Sequence, residues 1–387
     1  MQIKREYSID VIRGLVMVIM ALDHVRDLMH TSSLTQSPTD LNTTTPALFF
    51  TRWITHLCAP TFVFLSGVSA FISMKNRDDV GATRKFLLTR GIWLIVLELT
   101  LVNFGVWFDI KFGVFVFGVL AAIGFGFIIM SFLLKYTVRT IGIVGLCIVF
   151  IHNIFALLPG LGVIKTILSP FFAPGAFPIG PERMFLMGYP PIPWLGILLI
   201  GFSAGKLYME REAAHQRKLL LKAGMVSLAL FLLLRFINLY GDNSPWLPQK
   251  NSLYTFLSFI NVTKYPPSLQ FSLLFLGLMF LTLALLHSIK NKWTEILSVY
   301  GRVPLFYFLI HWYLIHPLLF LIILLQGYRS SEMEFGFNFG RPKGGGGVEL
   351  WAVYLIWLGV VVSLYPVCKW FGRYKAQHQE KKWLRFL

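Results

Sequence analysis

Ten apolar stretches, each about as long as a membrane-spanning helix, divide this chain of 387 residues. A helix that crosses a bilayer needs about 20 mostly apolar residues. The approximate limits of the stretches are 9–29, 54–74, 91–108, 112–134, 138–158, 192–208, 219–240, 268–288, 303–325 and 349–371. We therefore predict an all-α polytopic integral membrane protein with about ten transmembrane helices.

Composition excludes the soluble classes of protein. Hydrophobic residues make up 56% of the chain and charged residues 14%, with a formal net charge of +17. A soluble domain has about 45–50% apolar and about 25% charged residues. The chain lacks the polar surface of a soluble enzyme, a disordered segment or a nucleic-acid-binding module, so its positive charge points to membrane lipid and not to nucleic acid.

The basic residues predict how the helices are oriented. One set of connectors, which includes both termini, holds 23 of the 35 Lys and Arg residues, and the opposite set holds nine. Cytoplasmic loops carry the excess of basic residues, so both termini are predicted to be cytoplasmic. We predict a single transmembrane domain over residues 1–372. Residues 373–387 then form a basic tail, either an amphipathic helix on anionic lipid or a plain stop-transfer tail.

The first apolar stretch contains the most informative polar residues. At 100° per residue, Asp10, Arg13, His24 and Asp27 share one face of the helix. Ionisable groups inside a span are costly and usually functional. A histidine with a carboxylate one turn away is a candidate general base. The alternative is a buried polar network that only fixes helix packing.

Other polar residues are weaker candidates. His30 follows the first stretch, and His311 falls in the middle of the ninth, so each is a possible second histidine of the site. Glu98 and His152 are isolated polar residues, for which a structural role is favoured. Arg235, near the outer end of the seventh stretch, is expected to pair with an outer carboxylate or to receive an anionic group. The chain has neither closely spaced metal ligands nor a nucleotide-binding loop or a GxSxG motif, so we predict no metal site.

Several segments together resemble a known family. The segment SIDVIRGLVMVIMALDH contains the R-x10-H pattern, formed by Arg13 and His24, of first helices in transmembrane acyltransferases. The wider sequence resembles bacterial relatives of the heparan-α-glucosaminide N-acetyltransferase catalytic domain. The segments that carry this resemblance, which extends from about residue 5 to 370, are DVIRGLVMVIMALDHVRDLMH, FFTRWITHLCAPTFVFLSGVSAF, NLYGD, NVTKYPPSL and YGRVPLFYFLIHWYLIH.

The resemblance implies an acyltransferase bundle in the bacterial inner membrane. Acetyl-CoA would enter from the cytoplasm, and a sugar or glycan amine or hydroxyl would accept the acyl group outside. His24 matches the acyltransferase histidine, as base or acyl carrier, and His30 is the next histidine along the chain. Asp23 or Asp27 would orient the catalytic ring, and His311 would assist.

Binding of the donor is predicted at basic residues on the cytoplasmic side. Arg13 would line the pantetheine path within the membrane. The candidates for the CoA phosphates are Arg84, Lys85, Arg90 and Arg302. A homodimer is possible. The alternative function is a proton- or anion-coupled transporter, since charged stripes in a span also suit proton relays; against it, the sequence shows no matched halves.

Overall fold

The computed structural model describes residues 6–77, 79–158, 162–287 and 289–386 and is predominantly helical. Its α-helices are α1 (Tyr7–Met29), α2 (Pro46–Thr55), α3 (Cys58–Arg77), α4 (Val80–Leu97), α5 (Asn103–Trp107), α6 (Val119–Leu133), α7 (Val138–Ile151), α8 (Ile154–Leu157), α9 (Gly162–Phe172), α10 (Pro191–Glu210), α11 (Ala213–Ile237), α12 (Ser252–Ile260), α13 (Leu269–Leu286), α14 (Lys292–Gly301), α15 (Pro304–Leu325) and α16 (Leu350–Gln377).

The described residues also form five short strands, namely β1 (Val114–Phe117), β2 (Gly175–Pro178), β3 (Met184–Met187), β4 (Met333–Glu334) and β5 (Arg341–Pro342). Strands β2 and β3 form an antiparallel hairpin with Gly175 opposite Met187, and β4 pairs with β5. All four lie in two of the long connectors, so these loops have structure of their own. The chain is an all-α polytopic membrane protein, as predicted.

Each of the ten predicted spans coincides with a helix. Within the described residues, seven helical segments are long and apolar enough to cross a membrane. The other three are α1, which has 23 residues but several charges, and α6 and α7, which have 15 and 14 residues. At 1.5 Å per residue the last two span about 20 Å, less than the roughly 30 Å hydrocarbon core. The number of spans therefore remains a prediction.

Three predicted boundaries differ from the structure. The third span begins at Val80 and not near residue 91, so Arg84, Lys85 and Arg90 lie within a helix instead of in the connector before it. Residues 114–117 of the fourth predicted span form a strand, and the helix begins only at Val119. Helix α16 continues to Gln377, beyond the end of the tenth apolar stretch near residue 371.

The later start of α6 has a physical cause. The buried carboxylate of Glu98 accepts hydrogen bonds from the backbone N–H groups of Leu120 (2.7 Å) and Ala121 (3.2 Å) in the first turn of α6. These N–H groups have no partner within the helix itself. Glu98 therefore has a structural role as the cap of a buried helix end, in agreement with the favoured reading.

The chain forms two compact units. One comprises Met1–Ser8, Ala59–Leu99 and Val116–Ser288, and the other comprises Ile9–Cys58, Thr100–Phe115 and Ile289–Leu387. In the first unit, helices approach closely where glycines face each other, as Gly91 and Gly124 do between α4 and α6. Helices in membranes associate through such small residues because bulky side chains would hold their backbones apart.

Arg235 organises a long loop of the first unit. Its guanidinium, which has no exposed surface, donates to the carbonyl oxygens of Phe259, Ser244, Ser258 and Asn261 and to the side chain of Gln270. His152 likewise contacts the carbonyl oxygen of Pro267 at 2.9 Å. His152 therefore has the structural role that the sequence favoured. For Arg235 these contacts are with carbonyl oxygens and an amide side chain instead of the carboxylate or anionic group that the sequence suggested.

In the second unit, α1 packs against helices from the end of the chain. Gly301 of α14 adjoins the backbone oxygen of Asp10, and Gly14 adjoins that of Leu297. Further along α1, the indole of Trp357 in α16 donates to the carbonyl oxygen of Val18 at 2.7 Å. Because α1 is covered in this way, Asp10, Asp23 and Arg26 are buried.

Candidate functional site

Two histidines from opposite ends of the chain meet in the second unit. Atom Nδ1 of His24 on α1 lies 2.6 Å from Nε2 of His311 on α15. His311 has no exposed surface, whereas His24 is partly accessible. The structure therefore brings together the two histidines that the sequence placed in separate spans.

The hydrogen bonds around this pair define its proton positions. Nδ1 of His311 lies 3.2 Å from the carbonyl oxygen of Tyr307. A carbonyl oxygen only accepts, so Nδ1 of His311 carries the proton and its Nε2 presents a lone pair. Nδ1 of His24 must then donate to that lone pair. In the neutral state, Nε2 of His24 is left with a lone pair, which is the form that a base or a nucleophile needs.

Aromatic rings enclose the His24 imidazole. The indole of Trp312 stacks on it with ring centroids 4.0 Å apart and an angle of 20° between the planes. Phe308 approaches edge-on at 6.5 Å. Trp312 is 6% exposed, and its Nε1 has no hydrogen-bond partner among the described residues. The accessible part of the His24 ring thus lies against a largely apolar wall.

A cluster of four charged residues adjoins the histidines along α1. Nη2 of Arg26 lies 2.7 Å from a carboxylate oxygen of Asp23 and also 2.7 Å from one of Asp27. Arg52 of α2 forms a second ion pair with Asp23. The side chain of Asp27 is 44% exposed, whereas that of Asp23 is 9% exposed. Two cations and two anions balance here, so the cluster adds no net charge to the membrane interior.

The carboxylates predicted to orient His24 therefore bind arginines, and His311 occupies the position beside Nδ1 of His24. Asp23 and Asp27 still lie within one turn of His24. At the other end of the stripe, Arg13 lies 3.9 Å from the carboxylate of Asp10. Arg13 and His24 are eleven residues apart, which is about 16 Å along the helix.

His30 occupies a different environment from His24. Its Nδ1 lies 3.0 Å from the hydroxyl of Ser32, and its carbonyl oxygen accepts from the buried guanidinium of Arg341 at 3.0 Å. Burial lowers the pKa of His30, and the positive charges of Arg26 and Arg341 lower it further, while Glu349 acts in the opposite sense. These contacts join the end of α1 to the segment around β5, which is a structural arrangement.

The predicted phosphate-binding residues are distributed over both units. Arg84 and Lys85 are exposed on the first two turns of α4, Arg90 is half-buried further along, and Arg302 is exposed at the end of α14. Arg84 lies over the ring of Phe132 at 5.1 Å and shares with Lys135 a groove of about 200 Å³. Lys135 was not among the predicted residues.

Two further side chains of the site went unpredicted. Trp312 follows His311 directly, but tryptophan in an apolar span has no sequence signal that separates it from lipid-facing aromatics. Arg52 lies outside the helical spacing of the first span, so only the fold brings it to Asp23. Among the described residues, no group of three or more His, Cys, Asp or Glu side chains is placed to hold a metal ion.

Comparison with known proteins identifies a family for most of the chain. The family model described as heparan-alpha-glucosaminide N-acetyltransferase, catalytic, matches residues 5–236. The match includes His24, the charged cluster and α4, and it ends before α15, which carries His311 and Trp312. No protein with a curated description matches the chain.

Proposed function

Because the chain belongs to the membrane acyltransferase family of heparan-alpha-glucosaminide N-acetyltransferase catalytic domains, we propose that it transfers an acetyl group from cytoplasmic acetyl-CoA to an extracytoplasmic sugar or glycan. The acceptor group would be an amine or a hydroxyl. The contact between His24 and His311 is the observation that best supports a catalytic role for the first helix.

His24 acts as the general base in this proposal. Its Nε2 removes a proton from the acceptor while the acceptor nitrogen or oxygen attacks the thioester carbon. The C–S bond then breaks, and the proton passes from His24 to the departing sulfur, so that CoA leaves as a thiol. Asp23 and Asp27 stabilise the transient positive charge on the ring, and His311 holds the ring in the required tautomer.

The basic residues bind the acyl donor, acetyl-CoA, in this proposal. The residues assigned to the phosphates of CoA offer positive charge and are Arg84, which lines a groove with Lys135, together with Lys85, Arg90 and Arg302. The groove lined by Arg84 and Lys135 supports this assignment because it pairs cations with an aromatic ring, Phe132. Arg13, which is only partly exposed, is assigned to the path of the pantetheine arm.

The proposal is tested with purified protein, radiolabelled acetyl-CoA and glucosamine as the probe acceptor. We expect labelled product and free CoA from the wild type, and a loss of about 10²–10⁴-fold in kcat for His24→Asn, as for removal of a general base. His215→Asn, at an exposed position of α11, is the matched control and should retain full activity.

Two results would contradict parts of this assignment. Full acetyl-transfer activity of His24→Asn would exclude His24 as the base. A loss of activity in His30→Asn but not in His24→Asn would exclude it as well. An absence of acetyl transfer and of CoA release by the wild type, together with solute flux in proteoliposomes, would favour the transporter. A labelled enzyme formed without acceptor would show that His24 carries the acetyl group instead of acting as a base.

A further inference from the structure

The indole N–H of Trp312 is a buried donor without an acceptor. The residue is 6% exposed, and no described residue accepts from its Nε1. An indole nitrogen donates only, so rotation cannot turn it into an acceptor as it can a hydroxyl. Buried polar groups in proteins are almost always paired, and an unpaired one calls for an explanation such as a missing ligand.

The position of Trp312 distinguishes it from the other unpaired donors. Nε1 of Trp194 and Nε1 of Trp107 are also buried without a described partner. The ring of Trp194 packs against Tyr189 and Phe271, however, and that of Trp107 stacks on Phe339. Trp312 instead lies face to face with His24, the base of the proposed function. A group that accepts from its N–H is therefore held beside the reacting atoms.

We propose that the N–H of Trp312 donates to the thioester carbonyl oxygen of the bound acyl-CoA and stabilises the oxyanion that forms there. This inference rests on the proposed function. It adds a residue that contacts the substrate, and it assigns a ligand atom, an acyl carbonyl oxygen, to the unpaired donor.

The stacked rings suit this chemistry. A hydrogen-bond partner of Nε2 in His24 lies near the imidazole plane, and a partner of Nε1 in Trp312 lies near the indole plane. The ring centroids are 4.0 Å apart, so the two planes are separated by no more than that distance. Reacting atoms approach to about 3–3.5 Å before bond formation. An acceptor atom held by His24 can thus lie above a carbonyl held by Trp312.

The charge changes in the step are balanced. The acceptor lone pair forms the bond to carbon, the carbonyl π pair moves to oxygen, and His24 receives the acceptor proton. Collapse restores the C=O bond, expels the sulfur and returns the proton to it. The negative oxygen exists only between these events, so a donor fixed at that position favours the transition state over the bound substrate.

The neighbouring cations are less suited to this role. Arg26 is 1% exposed, and its Nη2 is held by two carboxylates, Asp23 and Asp27. Its Nε has no hydrogen-bond partner among the described residues, but these two carboxylates already compensate the charge of its guanidinium. Arg52 is also paired with Asp23. A guanidinium that is already bound to carboxylates stabilises a weaker, transient oxyanion less effectively. The N–H of Trp312, by contrast, has no other described hydrogen-bond acceptor.

Trp312→Phe keeps an aromatic ring and removes the N–H. We expect kcat to fall about 10²-fold or more, as for the loss of one oxyanion donor, while the KM for acetyl-CoA and the pH profile attributed to His24 stay unchanged. Trp194→Phe, which removes another buried indole N–H without a described partner, is the matched control and should retain kcat within about threefold. Benzothienylalanine at position 312 keeps the bicyclic shape without the N–H and should lose as much activity as Phe.

Three outcomes overturn the inference, each in a recognisable way. Wild-type kcat in both position-312 variants shows that the N–H does not contribute. Full recovery with benzothienylalanine, against a loss with Phe, shows that ring shape matters and the donor does not. If the wild-type protein transfers no acetyl group, the proposed function is wrong, and this inference, which rests on it, is wrong as well.

Discussion

Nδ1 of His24 and Nε2 of His311 lie 2.6 Å apart, although 287 positions separate the two residues in the chain. The contact joins the first helix to α15 and fixes the tautomer of both rings. It also accounts for the buried His311 imidazole without any charge, because two neutral rings share one proton at their contact and the Tyr307 carbonyl oxygen accepts the other. A neutral pair avoids the desolvation cost of a buried ion.

This relationship predicts the effect of changing His311. His311→Gln retains an amide oxygen as an acceptor for His24 and should lose about tenfold in kcat/KM, whereas His311→Leu offers no acceptor and should lose about 10²-fold or more. The measurement is acetyl transfer at saturating and limiting acceptor. Equal activity of the Leu variant and the wild type would show that His311 does not position His24.

The ion pair between Arg52 and Asp23 predicts a loss of stability. Arg52→Ala leaves the largely buried Asp23 with one cation fewer and should cost about 3 kcal/mol of the free energy of unfolding, as for a broken buried pair. Asp27→Asn, at a side chain that is 44% exposed, should cost less than about 1 kcal/mol. Thermal unfolding in detergent measures both. The reverse order would refute the assignment of Asp23 as the centre of the cluster.

The environment of His30 predicts a pH dependence. Burial lowers its pKa in the folded state below the ordinary value of 6.5, so the unfolded chain binds the proton more readily. Its contribution is therefore fully present above pH 6.5 and is lost as the pH falls from 6.5 through the lower folded pKa. The melting temperature should drop more between about pH 7.5 and 5 for the wild type than for His30→Gln. Parallel curves for the two proteins would contradict this.

The contact between α14 and α1 predicts that Gly301 tolerates no side chain. A Cβ at this position would lie 1.7 Å from the backbone oxygen of Asp10, which cannot move aside as a flexible side chain can. Gly301→Ala should cost about 3 kcal/mol or more, or prevent folding. Gly359→Ala is the matched control, since its Cβ would meet nothing within 4 Å. Both are measured by yield and thermal unfolding, and a stable Gly301→Ala protein would contradict the packing.

Much of the fold was predictable from hydropathy, because a membrane imposes helices on any apolar stretch of sufficient length. The predicted spans all correspond to helices for this reason. The exceptions are boundaries where polar contacts decide the start of a helix. The capping of α6 by Glu98 depends on groups that lie about 20 residues apart, and local hydropathy contains no information on such contacts.

The sequence alone identified the candidate site residues of the first helix. Charges inside an apolar helix have a cost that other contacts must offset, so Arg13, Asp23, His24 and Asp27 stood out without any structure. Helical spacing also placed several of them on one face, since that relation is local.

Only the tertiary structure decided which of these residues act on each other. Spacing favoured a carboxylate as the partner of His24, but the fold binds Asp23 and Asp27 to Arg26 and brings His311 to Nδ1 of His24. It also stacks Trp312 on the same ring. Such pairings arise from the packing of helices that are distant in the chain, and neither hydropathy nor helical periodicity specifies which helices pack together.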